Sequence, residues 1–169
     1  KMLQGGMQGE AAKSGLETEE DIDALVREVR EESGGLMRIL IDTNILISAA
    51  LNSHGTPYKA YLKAVTYPNK GIICDQNIEE LWRIFNRKFP TKISMLEKFL
   101  AYSLSVIEVA TTPEMEEDAE KLIRDVKDRP ILRAALNAKA DVLLTGDKDF
   151  LESGVTDPKI MTAAEFLEM

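Results

Sequence analysis

The chain contains one cysteine and one histidine, and that scarcity removes whole classes of chemistry. Cys74 has no second cysteine for an internal disulfide, and it lies in an apolar run; both facts fit a buried, inert thiol in a reducing cytoplasm. Metal sites built on several thiolates or imidazoles are excluded by number. His54 sits in the polar run His54-Gly55-Thr56-Pro57, a turn-like setting that suits neither a Ser–His–Asp nor a Cys–His arrangement. Long apolar stretches are missing too. The run Ile45–Leu51 is far too short to span a bilayer, and no basic start followed by a uniform apolar stretch suggests a signal peptide. Any chemistry must come from carboxylates.

An excess of positive charge is also lacking. The net charge of −8 opposes binding to nucleic acid, whose phosphates normally demand a basic face. The acidity is uneven, however. Residues 1–36 hold four Lys/Arg against nine Asp/Glu, a net of −5, leaving −3 for the rest. Two divalent cations would outweigh that remainder. The 169 residues, 44% hydrophobic and 30% charged, are enough for one domain with a single core and some residues over.

The pattern of the chain changes at a glycine joint. After a Gly/Gln/Met-rich start, Ile22, Leu25, Val26 and Val29 form one apolar stripe on a charged helix from Thr18 to Glu32. Thr18 with Asp21 makes a capping pair, and Ser33-Gly34-Gly35 stops the helix. From Met37 onward, short apolar runs alternate with helical stretches. Strands are expected at Arg38–Ile41, Gly71–Cys74, Val106–Val109, Val142–Leu144 and, more weakly, Lys159–Met161. Helices are expected at Ile45–Leu51, Tyr58–Val65, Ile78–Phe89, Ser94–Leu104, Pro113–Val126, Pro130–Ala138 and Ala163–Glu168. This alternation predicts an α/β fold, a central parallel sheet with helices on both faces. Two domains follow: a leader with an amphipathic helix, residues 1–36, and an α/β domain, residues 37–169.

In such sheets ligands collect beyond the carboxyl ends of the strands. Asp42 follows the first strand directly and Asp147 follows Val142–Leu144 closely, while Glu80 and Asp128 stand near helix starts that open on the same edge. Four converging carboxylates would repel one another strongly unless cations neutralise them. Oxygen-only ligands favour hard cations, so Mg²⁺ or Mn²⁺ is expected.

Three segments carry a resemblance. "RILIDTNILISA" resembles the opening strand and first acidic motif of PIN domains; "IEELWRIFNRKF" is similar to the second acidic helix of that family; "VKDRPILRAALNAKADVLLTGDKDF" resembles the closing motifs of its VapC-like toxins. The likeness covers about Met37–Met169 and implies a three-layer sandwich, divalent metal and cleavage of single-stranded RNA. Asp42, Glu80, Asp128 and Asp147 then become the metal-holding and catalytic set, acting by hydrolysis without a covalent enzyme intermediate. Glu79 competes with Glu80, but its spacing to Arg83 suits a solvated ion pair. Asp125 competes with Asp128, which also suits an N-cap before Arg129-Pro130. Asp149 stands open between assisting and capping. Thr43 and Asn44 either orient a metal-bound water or cap the next helix, and Asp75 reads as a turn or cap residue. Arg83, Arg87, Lys88 and Arg129 are candidate phosphate contacts or plain surface charges.

Residues 10–32 look like the tail of a small antitoxin, which makes Met37 the natural start of a toxin. The partners expected are RNA and an antitoxin, or the chain's own segment Thr18–Glu32 bound in an autoinhibited form, with Arg27 or Arg30 reaching the acids. An ordinary packing helix is the equal alternative, and a homodimer is a further option. A non-catalytic PIN scaffold that binds RNA or protein remains the competing function. A phosphatase of the haloacid-dehalogenase type needs a second aspartate where Asn44 stands.

Overall fold

The computed structural model describes residues 18–32 and 36–169, except for the side chains of residues 30 and 31. The Gly/Gln/Met-rich start, residues 10–17 of the antitoxin-like segment, the Ser33-Gly34-Gly35 joint and the Arg30 side chain lie outside the described residues. Contacts divide the chain into two units, residues 1–35 and 36–169.

In the first unit, helix α1 spans Glu19–Glu32. Its start is closed reciprocally: the Thr18 amide donates to Asp21 Oδ2 at 3.0 Å and the Asp21 amide to Thr18 Oγ1 at 3.1 Å. Glu19, Glu20 and Asp21 in the first turn suit the positive end of the helix dipole. The stripe of Ile22, Leu25, Val26 and Val29 is 41–54% exposed.

The second unit is built on five parallel strands, β1 (Arg38–Ile41), β2 (Lys70–Cys74), β3 (Glu108–Ala110), β4 (Val142–Leu144) and β5 (Lys159–Met161), in the order β3-β2-β1-β4-β5. Successive strand residues face opposite ways, and this period of two divides the core into two layers. Ile39, Ile41, Ile73, Val142 and Leu144 meet helices α2 (Thr43–Leu51), α3 (Thr56–Val65), α4 (Asp75–Lys88) and α5 (Ile93–Val106) through Leu46, Tyr61, Phe85 and Leu96. Helix α8 (Ala163–Glu168) joins that layer through Phe166. On the other face, Leu40, Ile72, Cys74 and Leu143 meet helix α6 (Arg129–Asn137) and helix α7 (Lys148–Leu151) through Leu132, Ala135 and Phe150. The result is the expected three-layer sandwich. Gly71 is glycine because the sheet and α3 approach closely there: an added Cβ would lie 2.9 Å from Val65 Cγ1.

The chain leaves β1 toward β2 and β3, then returns past β1 to β4 and β5. A fixed crossover hand puts the helices of the two directions on opposite faces. It also makes the gap between the carboxyl ends of β1 and β4 the point where the winding reverses, the usual ligand crevice of an open α/β sheet.

One expected helix is absent. Pro113–Val126 forms only a single 3₁₀ stretch at Asp118–Leu122, although Met115, Ala119, Leu122, Ile123 and Val126 are spaced for a helix. Met115, Leu122 and Val126 are exposed while Ile123 is buried, so the periodic stripe has nothing to pack on. Polar anchoring wins instead. Glu120 is 2% exposed and accepts Arg133 Nε at 2.8 Å and Nη2 at 2.7 Å, while Arg133 Nη1 donates to the Pro113 carbonyl at 3.0 Å. The third strand is also shifted: Val106 ends α5, and pairing begins at Glu108. Helix α7 follows Asp147 unannounced by any apolar periodicity.

The Arg133 guanidinium beside Glu120 holds that carboxyl below its ordinary range, so the bond's contribution is lost as pH falls through the lowered value. Arg133→Ala leaves a buried carboxylate without its partner and is expected to lower unfolding stability by about 3 kcal/mol at neutral pH. Denaturant melts of the wild type and the variant measure this.

Candidate metal centre

Each expected acid is placed by a local rule. Asp42 is the first residue beyond β1, and its amide still donates to the β4 carbonyl of Leu144 at 2.9 Å, so the ladder fixes its backbone. The residue is also the N-cap of α2. Its Oδ1 accepts the Thr43 amide at 2.8 Å and its Oδ2 the Thr145 hydroxyl at 2.7 Å. Thr145, fully buried, accepts in turn from the Asp147 amide at 3.0 Å. One hydroxyl thereby links the acids at the ends of β1 and β4. Asp147 caps α7 by accepting the Asp149 amide at 2.9 Å.

Glu80 lies in the second turn of α4 and is half-buried, whereas Glu79 is exposed. Glu80 Oε2 accepts the Thr43 hydroxyl at 2.8 Å. Of the two rivals, Glu80 is the one turned toward the ends of the strands. Asn44 spends its Oδ1 on the Gly146 amide at 3.2 Å, so Thr43 and Asn44 serve as struts between the motifs. Asp128 holds the N-cap position of α6, yet its side chain makes no capping bond.

The four acids feel one another. Burial pushes Asp42 up to about 6, against the opposing bonds from Thr145 and Thr43, and the charges of Glu80 and Asp147 add to the rise. Burial likewise raises Asp128 to about 7, reinforced by Asp147, Asp125, Asp42 and Glu80. Glu80 and Asp147 thus lie near enough for their charges to act on both Asp42 and Asp128. Among the described residues, carboxylate oxygens lying within 4.8 Å of one another belong to a partly different set, Asp125, Asp128 and Asp149. Asp128 belongs to both groups, and the rival Asp125 with Asp149 completes the second. Arg124 forms an ion pair with Asp149.

The donor set contains only oxygens and fits a hard divalent cation. Cys74 does not contribute: it is fully buried, and burial pushes its thiol up to about 11. Asp75 begins α4 and accepts from the Gln76 amide at 3.0 Å and the Thr112 amide at 3.1 Å, tying the ends of β2 and β3 together as a turn residue. Of the proposed phosphate contacts, Arg83, Arg87 and Lys88 are exposed. Arg129 is committed to the Ile123 carbonyl at 3.0 Å. The sequence reading missed Thr145, Asn77 and Arg124. Only Asn77 carried a signal, its position one helical turn before Glu80.

A sandwich of this topology with acids at the β1–β4 switch point defines an acid-cluster α/β protein. The family model for the PIN domain matches residues 38–149, and the chain belongs to that family. The fold is shared with VapBC2 from Rickettsia felis, bound in its crystal structure to a promoter DNA fragment: 20% identity, TM-score 0.56, covering 75% of this chain and 98% of that one. Mycobacterium tuberculosis VapC20, a sarcin–ricin loop cleaving toxin, is similar at 19% identity and TM-score 0.47, covering 70% and 97% of the two chains. PAE2754 from Pyrobaculum aerophilum is similar at 14% and 0.48, covering 79% and 99%. No curated protein matches the sequence. Among the described residues no helix is long and apolar enough to cross a membrane.

Because Asp42 and Asp128 hold protons more tightly folded than unfolded, the metal-free protein binds excess protons between the ordinary aspartate range and about pH 7. Its stability therefore falls as pH rises through that window, and a bound cation offsets the loss. Thermal melts without metal are expected to show a higher Tm at about pH 5 than at about pH 7.5, with Mn²⁺ raising Tm mainly at the higher pH. Asp128→Asn should flatten the dependence.

Proposed function

We propose that this chain is a divalent-metal-dependent endoribonuclease of the toxin type, with Asp42, Glu80, Asp128 and Asp147 holding Mg²⁺ or Mn²⁺. The observation that carries this reading is that burial, with the charges of nearby acids adding to it, raises both Asp42 and Asp128. A fold gains no stability from such crowding, and a cation gives it a use. When bound, the metal supplies charge neutralisation and Lewis-acid activation of a phosphodiester. The protein's part is to hold the acids still: Thr145 fixes Asp42 and the Asp147 turn, and Thr43 fixes Glu80. Arg83, Arg87 and Lys88 are the exposed basic groups of α4 available to phosphates. Membership in the PIN-domain family, with motifs that resemble those of VapC-like toxins, makes RNA and an antitoxin the proposed partners. The cytoplasm is the proposed compartment.

The competing reading, a scaffold that binds without cutting, predicts inertness with Mn²⁺. The expected result is Mn²⁺-dependent cleavage of single-stranded RNA, reduced about 10²-fold or more by Asp42→Asn. A chain lacking residues 1–36 that binds Mn²⁺ but leaves RNA intact would favour the scaffold.

The leader, residues 1–36, is proposed to act as a tethered inhibitor of residues 37–169. The exposed apolar stripe of α1 supports a helix made to lie in a groove, with Arg27 or Arg30 proposed to reach the acids. Removal of residues 1–36 is expected to raise RNase activity and tighten Mn²⁺ binding. Unchanged activity and affinity would leave α1 a plain packing helix.

A further inference from the structure

A fully buried amide lies behind the second acid. Asn77 is on α4, one turn before Glu80. Its Oδ1 accepts the Cys74 backbone amide at 2.8 Å and the Cys74 thiol at 3.2 Å. Those two donors require an oxygen, so the amide orientation follows from the network. The nitrogen must then face the other way, and Nδ2 donates to Thr43 Oγ1 at 2.9 Å. A hydroxyl that accepts one bond still has its own proton to give. Thr43 gives that proton to Glu80 Oε2. The hydrogen bonds therefore run in one direction, from the end of β2 through Asn77 and Thr43 to the carboxylate.

Capping alone does not explain this residue. Glutamate, the usual partner at this position of a capping box, would accept the Cys74 amide equally well. Once ionised it has nothing to donate, and Thr43 would turn its proton toward it and away from Glu80. Asparagine accepts at one end and donates at the other, and this place needs both. Thr43 is 3% exposed, so little water is at hand to replace a missing donor.

We propose that Asn77 is a positioning residue that sets the orientation of Glu80 toward the metal by polarising Thr43. The inference rests on the metal-nuclease reading above. The test is calorimetric titration of the metal-free protein with Mn²⁺, together with steady-state RNA cleavage, on wild type, Asn77→Ala, Glu80→Gln and the double variant. Expected for folded Asn77→Ala is a Mn²⁺ affinity about tenfold weaker. The kcat should fall, while KM moves by less than about twofold. In the Glu80→Gln background the same change is expected to cost no further affinity, because Asn77 acts through Glu80. Folded Asn77→Ala with wild-type affinity, or an undiminished loss in the Glu80→Gln background, overturns the proposal. If Asn77→Ala does not fold, Thr43→Val cuts the same relay and decides by the same two outcomes. A wild-type chain that binds no Mn²⁺ overturns the metal reading itself and this inference with it, whereas Mn²⁺ binding that ignores Asn77 removes only the relay.

Discussion

Electrostatic crowding at the carboxyl ends of β1 and β4 is the constraint around which the rest of this domain is arranged. Asp42 and Asp128 are both raised by burial and by their acidic neighbours, a condition that works against folding at neutral pH. The fold tolerates it by giving the carboxylates directed donors. Thr145 and the Thr43 amide serve Asp42, the Asp149 amide serves Asp147, and the Thr43 hydroxyl serves Glu80. Asp128 receives no capping bond and is the more elevated of the two.

The same donors are structural joints. Thr145 spans the ends of β1 and β4, Asn44 braces the turn after β4, and the Thr43–Asn77 pair ties α2 to α4. Positional precision at the acids therefore comes from side chains that never leave the protein. Away from this edge, Arg38 closes the sheet's opposite end, pairing with Glu108 on β3 and donating to the Ala138 carbonyl beyond α6. Side-chain bonds thus tie the sheet at both ends of its strands.

Membership in the PIN-domain family and the sandwich shared with VapBC2 agree with this arrangement. The acids divide into two overlapping groups around Asp128: the expected four, and the trio with Asp125 and Asp149. Arg124 sits against the second group through Asp149. A cation supplied by the chain thus stands at the margin of an acidic field, on the segment that Arg133 and Glu120 hold in place.

Much of this was open to reading from the residues alone. Strand runs such as Arg38–Ile41 and Val142–Leu144 announce themselves because a strand buried on both faces must be apolar throughout. Asp42 and Asp147 follow those runs closely, so their placement came almost directly from chain order. The choice of Glu80 over Glu79 rests on the spacing of Glu79 to Arg83, which suits a solvated ion pair, and on the resemblance of the segment to the second acidic helix of PIN domains. The failure at Pro113–Val126 has an equally physical cause: its apolar spacing is helical, but an ion pair with Arg133 and the burial of Ile123 are contacts with distant residues that no local pattern encodes. Asn77, Thr145 and Arg124 were missed for that reason too, since a hydrogen bond across 34, 103 or 25 positions exists only after the sheet has brought its partners together. Periodicity determined most of the strands and helices, and chain order put Asp42 and Asp147 close behind their strands. Which hydroxyl holds which carboxylate was decided by strand order and packing, because hydrogen-bond geometry depends on distances in space and the sequence records only distances along the chain.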